Sequence, residues 1–419
     1  MQPAVFIRLR PLGAWRYGPG EGGQDRLDTL FRSDRLYSAL TLALRQLGYL
    51  EEWLQATARA ATPAVVCSSL FPFQGDTLFV TPPATLWPPP LSLVTTPSPV
   101  FLTKVRWKAA RFVPLALVES ILTGQSILAD QWIPDAASGC LLRRDRPSAS
   151  PFRVVTRSTA PVDRVAGNSD QARISAAVEF EPGSGLWTVV RFANEAVRDN
   201  WADRLRAAFR LLADTGFGGR RTSGWGQTAE PEFQTGTWPS VILPKLARSG
   251  YNPAAETEQP ASYWLLSLYS PSSADNIDWQ EGSYAAVVRG GHVDSSSPGA
   301  GAEKKRVRMI TEGSVLTASA EPLGASVDVA PEGFAHPVYR AGFALSLLLP
   351  EIKAHVPSPE QVAELEAPEP EPEAEPEPEP EPEQPSPTEE MKEPESAVRE
   401  EPEPEQPRTR EEEEGSYEI

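Results

Sequence analysis

The first fifty residues combine a short apolar run with a longer stripe of leucines. Residues 5–9, Val-Phe-Ile-Arg-Leu, are typical of a strand. A helix is predicted next, beginning with Ser33 or Asp34 as its cap and ending at Gly48. Its apolar positions recur every three or four residues, and they are Leu36, Leu40, Leu44 and Leu47. The pattern therefore predicts one strand–helix unit.

A second strand–helix unit is predicted near residue 190. Residues 186–192 are rich in β-branched and aromatic side chains, and a helix is expected after Asn194. Its apolar stripe consists of Val197, Trp201, Leu205, Phe209 and Leu212. Two such units predict an α+β ferredoxin-like domain over residues 1–240, the architecture of RNA-recognition (RRM) domains. The long stretch between the units predicts a large insertion at about 95–170.

The segment 241–356 is predicted to be a second, β-rich domain, whose strand signals follow a proline-rich connector at 231–260. Strand-like patterns occur at residues 263–269, 284–289, 304–309 and 339–349. We interpret this segment as a degenerate second ferredoxin-like domain. The duplication is a hypothesis about shape, because no periodic sequence repeat is visible outside the tail.

The C-terminal segment 357–419 alternates glutamate with proline and carries a net charge of −20. Like charges repel, proline lacks an amide donor and apolar residues are scarce, so we expect a disordered acidic tail. An acidic interaction arm, or a mimic of nucleic acid, is the alternative. The whole chain has a net charge of −18, so residues 1–356 carry +2 and are compatible with an anionic partner.

Composition excludes several classes of site. Two cysteines, Cys67 and Cys140, cannot form a disulfide framework or a cysteine-rich zinc site, and they fit a reducing cytoplasm. Only three histidines are present, so we expect no metal and no cofactor. We also expect no export signal and no membrane span, because no run of about 18 apolar residues occurs. A cytoplasmic protein without a membrane partner is predicted.

The glycine-rich segment is the strongest candidate for binding. Its residues are Gly216, Phe217, Gly218, Gly219, Arg220, Arg221, Thr222, Ser223, Gly224, Trp225 and Gly226. Glycines allow close approach to backbone amides, two arginines add charge, and Trp225 is available for stacking, which is typical of a loop that clamps a nucleic-acid backbone. It is neither a Walker loop nor a dinucleotide-binding loop. A glycine-rich turn with solvated arginines is the alternative.

Two further basic segments are candidate phosphate contacts. Strand alternation would point Lys304, Arg306 and Arg308 to one face, although a charged edge strand would look the same. The predicted insertion interleaves basic and aromatic residues, as single-strand binders do, or forms an ordinary amphipathic surface. Its candidates are Lys104, Arg106, Lys108, Arg111, Arg157 and Arg164, the last two belonging to a predicted projecting hairpin.

The sequence evidence for a catalytic site is weaker than the evidence for nucleic-acid binding. No metalloprotease, hydrolase or kinase motif is present. Asp34 is interpreted as a helix cap rather than a catalytic acid. His292 lies beside two glycines and is the one candidate base for attack by a ribose 2′-hydroxyl, although a hydrogen-bonded surface histidine is the more ordinary interpretation.

Three segments together resemble a known family. Residues 33–40 (Ser-Asp-Arg-Leu-Tyr-Ser-Ala-Leu) are similar to its first-helix motif, and residues 216–226 to the glycine-rich loop of RAMP (repeat-associated mysterious) proteins. Residues 307–315, with Glu312-Gly313-Ser314, resemble the glutamate-glycine-serine strand of one subgroup. The subgroup is the fourth subunit of the Csm complex, a type III-A CRISPR effector subunit of the Cas5-like group. The resemblance covers about residues 4–350 and excludes the tail.

The resemblance implies two ferredoxin-like domains with a β-hairpin thumb, and a non-catalytic subunit. Such a subunit grips the repeat-derived 5′ tag of the CRISPR RNA in antiviral defence. It also docks onto the large polymerase-palm subunit and lies next to the backbone RAMP subunit. Arg32 stands where the family motif often has histidine or another residue, which further weakens the case for histidine catalysis. The alternatives are a metal-independent endoribonuclease, with His292 as base and Lys304 or Arg306 stabilising the transition state, and an interaction protein acting through its acidic tail.

Overall fold

A computed structural model describes residues 1–18, 27–95, 106–145, 149–159, 173–251, 260–293 and 301–351. All of them belong to one compact unit, Met1–Gln361. The predicted tail at 357–419 lies outside the described residues, as do Lys104 and Arg164. None of the described helices is long and apolar enough to cross a membrane.

The described part of the chain is a mixed structure of helices and strands. The α-helices are α1 (Ser33–Gln46), α2 (Leu50–Ala56), α3 (Leu115–Leu122), α4 (Glu195–Thr215) and α5 (Pro244–Arg248). The strands are β1 (Pro3–Leu9), β2 (Val65–Cys67), β3 (Phe71–Gln74), β4 (Thr77–Val80), β5 (Val94–Thr95), β6 (Val113–Pro114), β7 (Ile127–Leu128), β8 (Trp132–Pro134), β9 (Leu141–Arg143), β10 (Phe152–Thr159), β11 (Arg173–Phe180), β12 (Ser184–Phe192), β13 (Glu232–Thr237), β14 (Ala261–Leu265), β15 (Ile277–Ser283), β16 (Ala286–Arg289), β17 (Val307–Ile310), β18 (Val315–Ala318), β19 (Gly324–Asp328), β20 (Tyr339–Phe343) and β21 (Ser346–Leu348).

The two predicted strand–helix units share one sheet. Its strands follow the order β13-β1-β12-β3-β4-β6, and β2 also pairs with β12. β1 and β12 are antiparallel, in register from Ala4 opposite Arg191 to Leu9 opposite Leu186. Helices α1 and α4 pack against each other, and α4 also packs on β1 and β12.

The predicted helical stripes form the core of this half. Leu36, Leu40 and Leu44 of α1 are fully buried, whereas Leu47 is exposed at the helix end. The α4 stripe from Trp201 to Leu212 is also buried, because one face of each helix meets apolar neighbours. Both helices are therefore confirmed.

The caps of the two helices differ. Asn194 caps α4 as expected, and its side chain accepts a hydrogen bond of 3.0 Å from the amide of Val197. The N-cap of α1 is Arg32, so the prediction that Ser33 or Asp34 caps this helix is wrong. The side chains of Ser33 and Asp34 instead bind residues far away in the sequence.

The second half consists mainly of strands, as predicted. β14, β15, β18 and β21 form a four-stranded antiparallel sheet, and β16–β17 and β19–β20 form two-stranded ribbons. β20 packs against α1 of the first half. The domain boundary near residue 240 stays a prediction.

The predicted projecting hairpin is present as β10 and β11. The two strands pair antiparallel over eight residue pairs, from Phe152 opposite Phe180 to Thr159 opposite Arg173. Its second strand is residues 173–180, so the sequence interpretation, which took residues 162–167 as part of the hairpin, concerned residues outside the described part of the chain.

Candidate nucleic-acid interface

The glycine-rich loop follows the C-terminus of α4 and packs tightly on its own backbone. Gly216, Gly218 and Gly226 have φ angles of 90°, 76° and 82°. A Cβ atom at Gly226 would lie 2.0 Å from the carbonyl oxygen of Phe217, and one at Gly218 would lie 2.5 Å from that of Arg16. Close backbone packing therefore requires glycine at both positions.

Most amides of this loop are engaged inside the protein. Phe217 N donates to Gly226 O over 2.9 Å, and Gly219 N donates to Arg16 O over 2.8 Å. Further amides that donate to backbone carbonyls are those of Gly216, Ser223, Gly224, Trp225 and Gly226. An amide that donates internally is not available to a phosphate, so the structure does not form the amide cradle expected at these positions.

The loop presents side chains instead. Residues 221–224 are exposed. Arg220 has a φ of 59°, the only positive value for a non-glycine residue in the described part of the chain. That conformation costs about 1–2 kcal/mol for a residue with a Cβ atom. Strain of this kind concentrates at functional sites, which makes this turn a candidate contact.

The two aromatic residues of the loop point into the protein. Phe217 is fully buried and stacks on Trp15, with ring centroids 5.2 Å apart. Trp225 is 9 % exposed. The guanidinium carbons of Arg157 and Arg220 lie 5.8 and 5.5 Å from its ring centroid. Trp225 is thus covered by cations, and is not the open stacking platform expected from the sequence.

Trp225 also joins the loop to the hairpin. It is buried together with Ala14 and Ala177, and Val155 of β10 packs against this cluster. The predicted loop and hairpin candidates are therefore brought to one surface, which we call the loop–hairpin surface and define by Arg157, Arg220 and Arg221. The hairpin and loop residues of this surface are more than 60 positions apart in the sequence.

Two glutamates reduce the positive charge of the hairpin. Glu179 accepts a hydrogen bond of 3.1 Å from Arg157 Nε, and it lies 3.5 Å from Arg153. Arg153 also lies 3.6 Å from Glu181. The hydrogen bond from Arg157 lowers the pKa of the Glu179 carboxyl, so this pair stays charged near neutral pH.

The basic and aromatic residues at 106–112 have separate roles. Arg106 and Lys108 are exposed, whereas Trp107 is 2 % exposed and stacks on Trp87 with ring centroids 5.3 Å apart. Arg111 donates to Asp28 Oδ1 over 3.1 Å. The aromatic ring here belongs to the core, so only the cations remain as candidate phosphate contacts.

The expected basic stripe on one strand is not formed. β17 begins at Val307, which pairs with Arg289, the last residue of β16. Gly290 and Gly291 follow Arg289 and lie outside β16. Lys304 therefore precedes the strand, and its amide donates to Gly291 O over 2.7 Å. Arg306 also precedes it and lies 3.2 Å from Glu303. Only Arg308 lies on the strand, where it is exposed.

A buried ion network, which sequence reasoning missed, connects α1 to the second half. Arg289 Nε and Nη2 each donate to the Asp34 carboxylate over 3.0 Å, and Arg340 donates to it as well. Burial alone would raise the pKa of Asp34, but the two arginines outweigh it and hold the pKa at about 2. Asp34 is therefore a buried carboxylate shared by two arginines.

The glutamate-glycine-serine segment of the resemblance meets the same helix start. Glu312 accepts hydrogen bonds from Arg32 and from the Ser69 hydroxyl, and Arg32 also donates to Asp28 over 2.7 Å. Ser33 Oγ accepts from the amide of Leu268 over 2.9 Å. The first-helix motif and the glutamate-glycine-serine segment thus serve to join the two halves.

Two buried donors lie close to this network without a hydrogen-bond acceptor. Arg35 Nη1 has none in the described part of the chain, and neither has the Tyr17 hydroxyl. Burial, and then repulsion from Arg289, lowers the pKa of Arg35 to about 10. Burial also raises the pKa of Tyr17, which therefore stays a neutral donor. The Arg35 guanidinium and the neutral Tyr17 hydroxyl could therefore each donate a hydrogen bond to an anion.

Few of the described residues are candidates for a catalytic site. His292 is exposed, and its backbone forms an isolated bridge with Glu303. Within the described ranges, no three His, Cys, Asp or Glu side chains are grouped so that they could hold a metal ion. Whether His292 acts as a base stays a prediction.

One region of the sequence matches a known protein family. Residues 258–349 match the family model described as the CRISPR Csm4 C-terminal domain. This region contains Arg289, Glu312 and Arg340 of the buried network. A search of curated proteins finds no match.

Solved structures resemble the fold over most of the chain. A chain in the crystal structure of the Csm3–Csm4 subcomplex of the type III-A CRISPR-Cas interference complex has a TM-score of 0.54 and 15 % identity, over 82 % of this chain and 99 % of that one. A chain in the Csm1–Csm4 cassette in complex with cA4 has a TM-score of 0.48 and 17 % identity, over 83 % of this chain and 98 % of that one. The first of these matches extends the likeness in fold well beyond residues 258–349.

Proposed function

Since the chain is a Csm4-like RAMP subunit of a type III-A CRISPR effector, the Csm complex, we propose that it grips the 5′ repeat-derived tag of the CRISPR RNA without catalysing a reaction. In this proposal the loop–hairpin surface holds tag phosphates. The observation that carries it is the meeting of Arg157 and Arg220 over the ring of Trp225, with Arg220 held in a strained conformation. Arginine is suited to phosphate because its planar group donates two parallel hydrogen bonds.

The topology supports the finer fold assignment within this proposal. The order β13-β1-β12-β3, with helices α1 and α4 following β1 and β12, is the order of a ferredoxin-like βαββαβ sheet. We propose that the first half is ferredoxin-like and that β10–β11 is its thumb. The second half is proposed as a degenerate copy, although its described elements after α5 are strands.

The test of RNA binding is the double variant Arg220→Ala with Arg221→Ala. Affinity for a single-stranded RNA carrying the tag should fall, and the slope of log affinity against log salt should flatten by about 0.7 for each phosphate that is no longer neutralised. Arg198→Ala with Arg206→Ala is the matched control, because both residues lie on the preceding helix in ion pairs with nearby carboxylates. Equal affinities and slopes for wild type and the loop variant would refute the assignment.

The proposal that the subunit is not an enzyme is tested with repeat-containing RNA in EDTA. We expect no cleavage by the purified chain. Cleavage that disappears in His292→Ala would instead establish the endoribonuclease alternative.

Docking to the large polymerase-palm subunit and to a backbone RAMP subunit belongs to the same proposal. The buried network that joins the two halves of the described chain supplies one continuous body for such contacts. Co-expression with each candidate partner, followed by size-exclusion chromatography, should yield a stable complex. Elution of this subunit separately from both partners would contradict the docking proposal.

A further inference from the structure

A second group of cations lines a cavity of about 460 Å³ between helices α1 and α2 and the β-rich second half. Polar residues on its wall include Ser38, Arg45, Arg59, Lys304, His336 and Tyr339. None of them belongs to the loop–hairpin surface. Lys304, which the sequence suggested as part of a phosphate track along a strand, lies here instead.

The cavity is separate from the start of α1, where the buried ion network lies. Arg45 is in the last turn of α1, twelve residues after Ser33. At a rise of about 1.5 Å per residue, the two positions are about 18 Å apart along the helix axis. A ligand bound near Arg45 would therefore lie away from the buried ion network at Ser33 and Asp34.

Two donors in the cavity, Ser38 and Arg45, have no partner among the described residues. Ser38 and Arg45 lie seven residues apart, and so occupy the same face of α1. Neither side chain has a hydrogen bond or ion pair within the part of the chain that the structure describes. Among the described residues, Glu51 is the one carboxylate on the cavity wall, and it is already neutralised because Arg59 donates to it over 2.7 Å.

The remaining wall combines charge with apolar surface. Lys304 and His336 approach from the second half, and Leu50, Leu54 and Tyr339 supply carbon surface. Pockets of roughly 300–1,000 Å³ with apolar walls and a few convergent polar groups are the usual form of small-ligand sites. Inorganic phosphate would leave the apolar wall unused, whereas a nucleotide uses both parts.

We propose that this cavity binds one nucleotide. Arg45 and Ser38 donate to its phosphate, with Lys304 adding positive charge, and its base packs against Leu50, Leu54 and Tyr339. The nucleotide is either a free ribonucleoside phosphate or one residue of an RNA chain. The proposal is independent of tag binding at the loop–hairpin surface, because the two sites share no residue.

The test uses the purified full chain and equilibrium dialysis with the four ribonucleoside 5′-monophosphates, alongside the four nucleosides. We expect a monophosphate to bind more tightly than its nucleoside. Arg45→Glu should weaken that binding at least about tenfold, as removal of a charge-assisted hydrogen bond does. Arg248→Glu is the matched control, because Arg248 is also an exposed arginine in the last turn of a helix but lies outside the cavity.

A second arm distinguishes the source of the nucleotide. A single-stranded RNA containing 4-thiouridine is photo-crosslinked to wild type, to Arg45→Glu and to Arg220→Ala with Arg221→Ala, and the linked peptides are identified by mass spectrometry. Links to residues 336–339 that disappear in Arg45→Glu and persist in the loop variant indicate a residue of RNA. Binding of monophosphates without such links indicates a free nucleotide.

Two results would overturn the proposal. One is the absence of both monophosphate binding and crosslinks at residues 336–339, with circular dichroism showing that Arg45→Glu is folded. The other is binding of a hexaglutamate peptide that is lost in Arg45→Glu, with no binding of any nucleotide, which would identify the cavity as a site for an acidic protein segment.

Discussion

Asp34 illustrates how the role of one residue depends on partners that are remote in the sequence. Its position before an amphipathic stripe favoured a helix cap, because only neighbouring residues were visible to that argument. The carboxylate instead binds Arg289 and Arg340, which are 255 and 306 residues away. No periodicity links such positions, so their pairing could not be predicted from the chain alone.

We predict that Asp34→Asn is strongly destabilising. The variant leaves two buried arginines without their carboxylate, and breaking such a pair costs about 3–5 kcal/mol of unfolding free energy. Asp199→Asn is the control, since Asp199 is exposed and should change stability by less than about 0.5 kcal/mol. Urea unfolding measures both. Equal unfolding free energies for the two variants would show that the pairing of Asp34 with its two arginines stabilises the protein no more than the exposed Asp199 does.

The same carboxylate predicts a pH dependence. Its pKa is about 2 in the folded protein against an ordinary 3.8, so folding favours the charged form. The stabilisation is complete above about pH 4 and is lost as the pH falls towards 2, and it amounts to roughly 2 kcal/mol. The difference in stability between wild type and Asp34→Asn should therefore narrow as the pH is lowered from about 5 to about 2.5. A constant difference across that range would contradict the assignment.

At the scale of elements, amphipathic helices were predictable and the glycine-rich loop was only partly so. The stripes of α1 and α4 were visible because their burial follows the 3.6-residue period of a helix. The loop was located correctly after α4, but its glycines suggested ligand approach, whereas they allow the backbone to pack on itself. The same ambiguity affected Trp107 and Trp225, since aromatic residues serve a core and a stacking surface equally well.

We predict that alanine substitutions at Gly224 and Gly226 of the glycine-rich loop lower the stability of the protein by different amounts. A Cβ at Gly226 would meet the carbonyl of Phe217, whereas one at Gly224 has only a Gln227 side-chain atom 3.7 Å away. Both have positive φ, so Gly224→Ala should cost about 1 kcal/mol from backbone strain alone. Gly226→Ala should cost more than about 2 kcal/mol, because backbone must move. Thermal unfolding compares the two, and equal losses would argue against the tight packing.

At the scale of the whole molecule, charge is divided very unequally along the chain. Residues 357–419 carry −20 and the remainder +2, so the net charge of the whole chain misrepresents residues 1–356, for which RNA binding is proposed. A count of charged residues along the sequence is enough to show this division. The cavity lined by Arg45, Arg59 and Lys304 could not be found in that way, because it depends on the packing of α1 against β20.

We predict that deleting residues 357–419 strengthens binding to RNA of unrelated sequence at low salt. The deletion changes the formal charge from −18 to +2, and electrostatic steering predicts an on-rate higher by on the order of tenfold. The gain should shrink above about 0.15 M salt, where the Debye length is about 8 Å. A chain whose tail glutamates are all replaced by glutamines is the matched control. If it behaves like wild type, tail charge is not the cause.

The span of the buried ion network has a consequence for how the protein is made. Asp34 leaves the ribosome 306 residues before Arg340. At about 5–20 residues per second, this is a delay of roughly 15–60 s. During that interval the nascent first half must keep Asp34 hydrated, so α1 cannot reach its final packing. Synthesis of Arg340, rather than completion of the first half, therefore determines when α1 can reach its final packing.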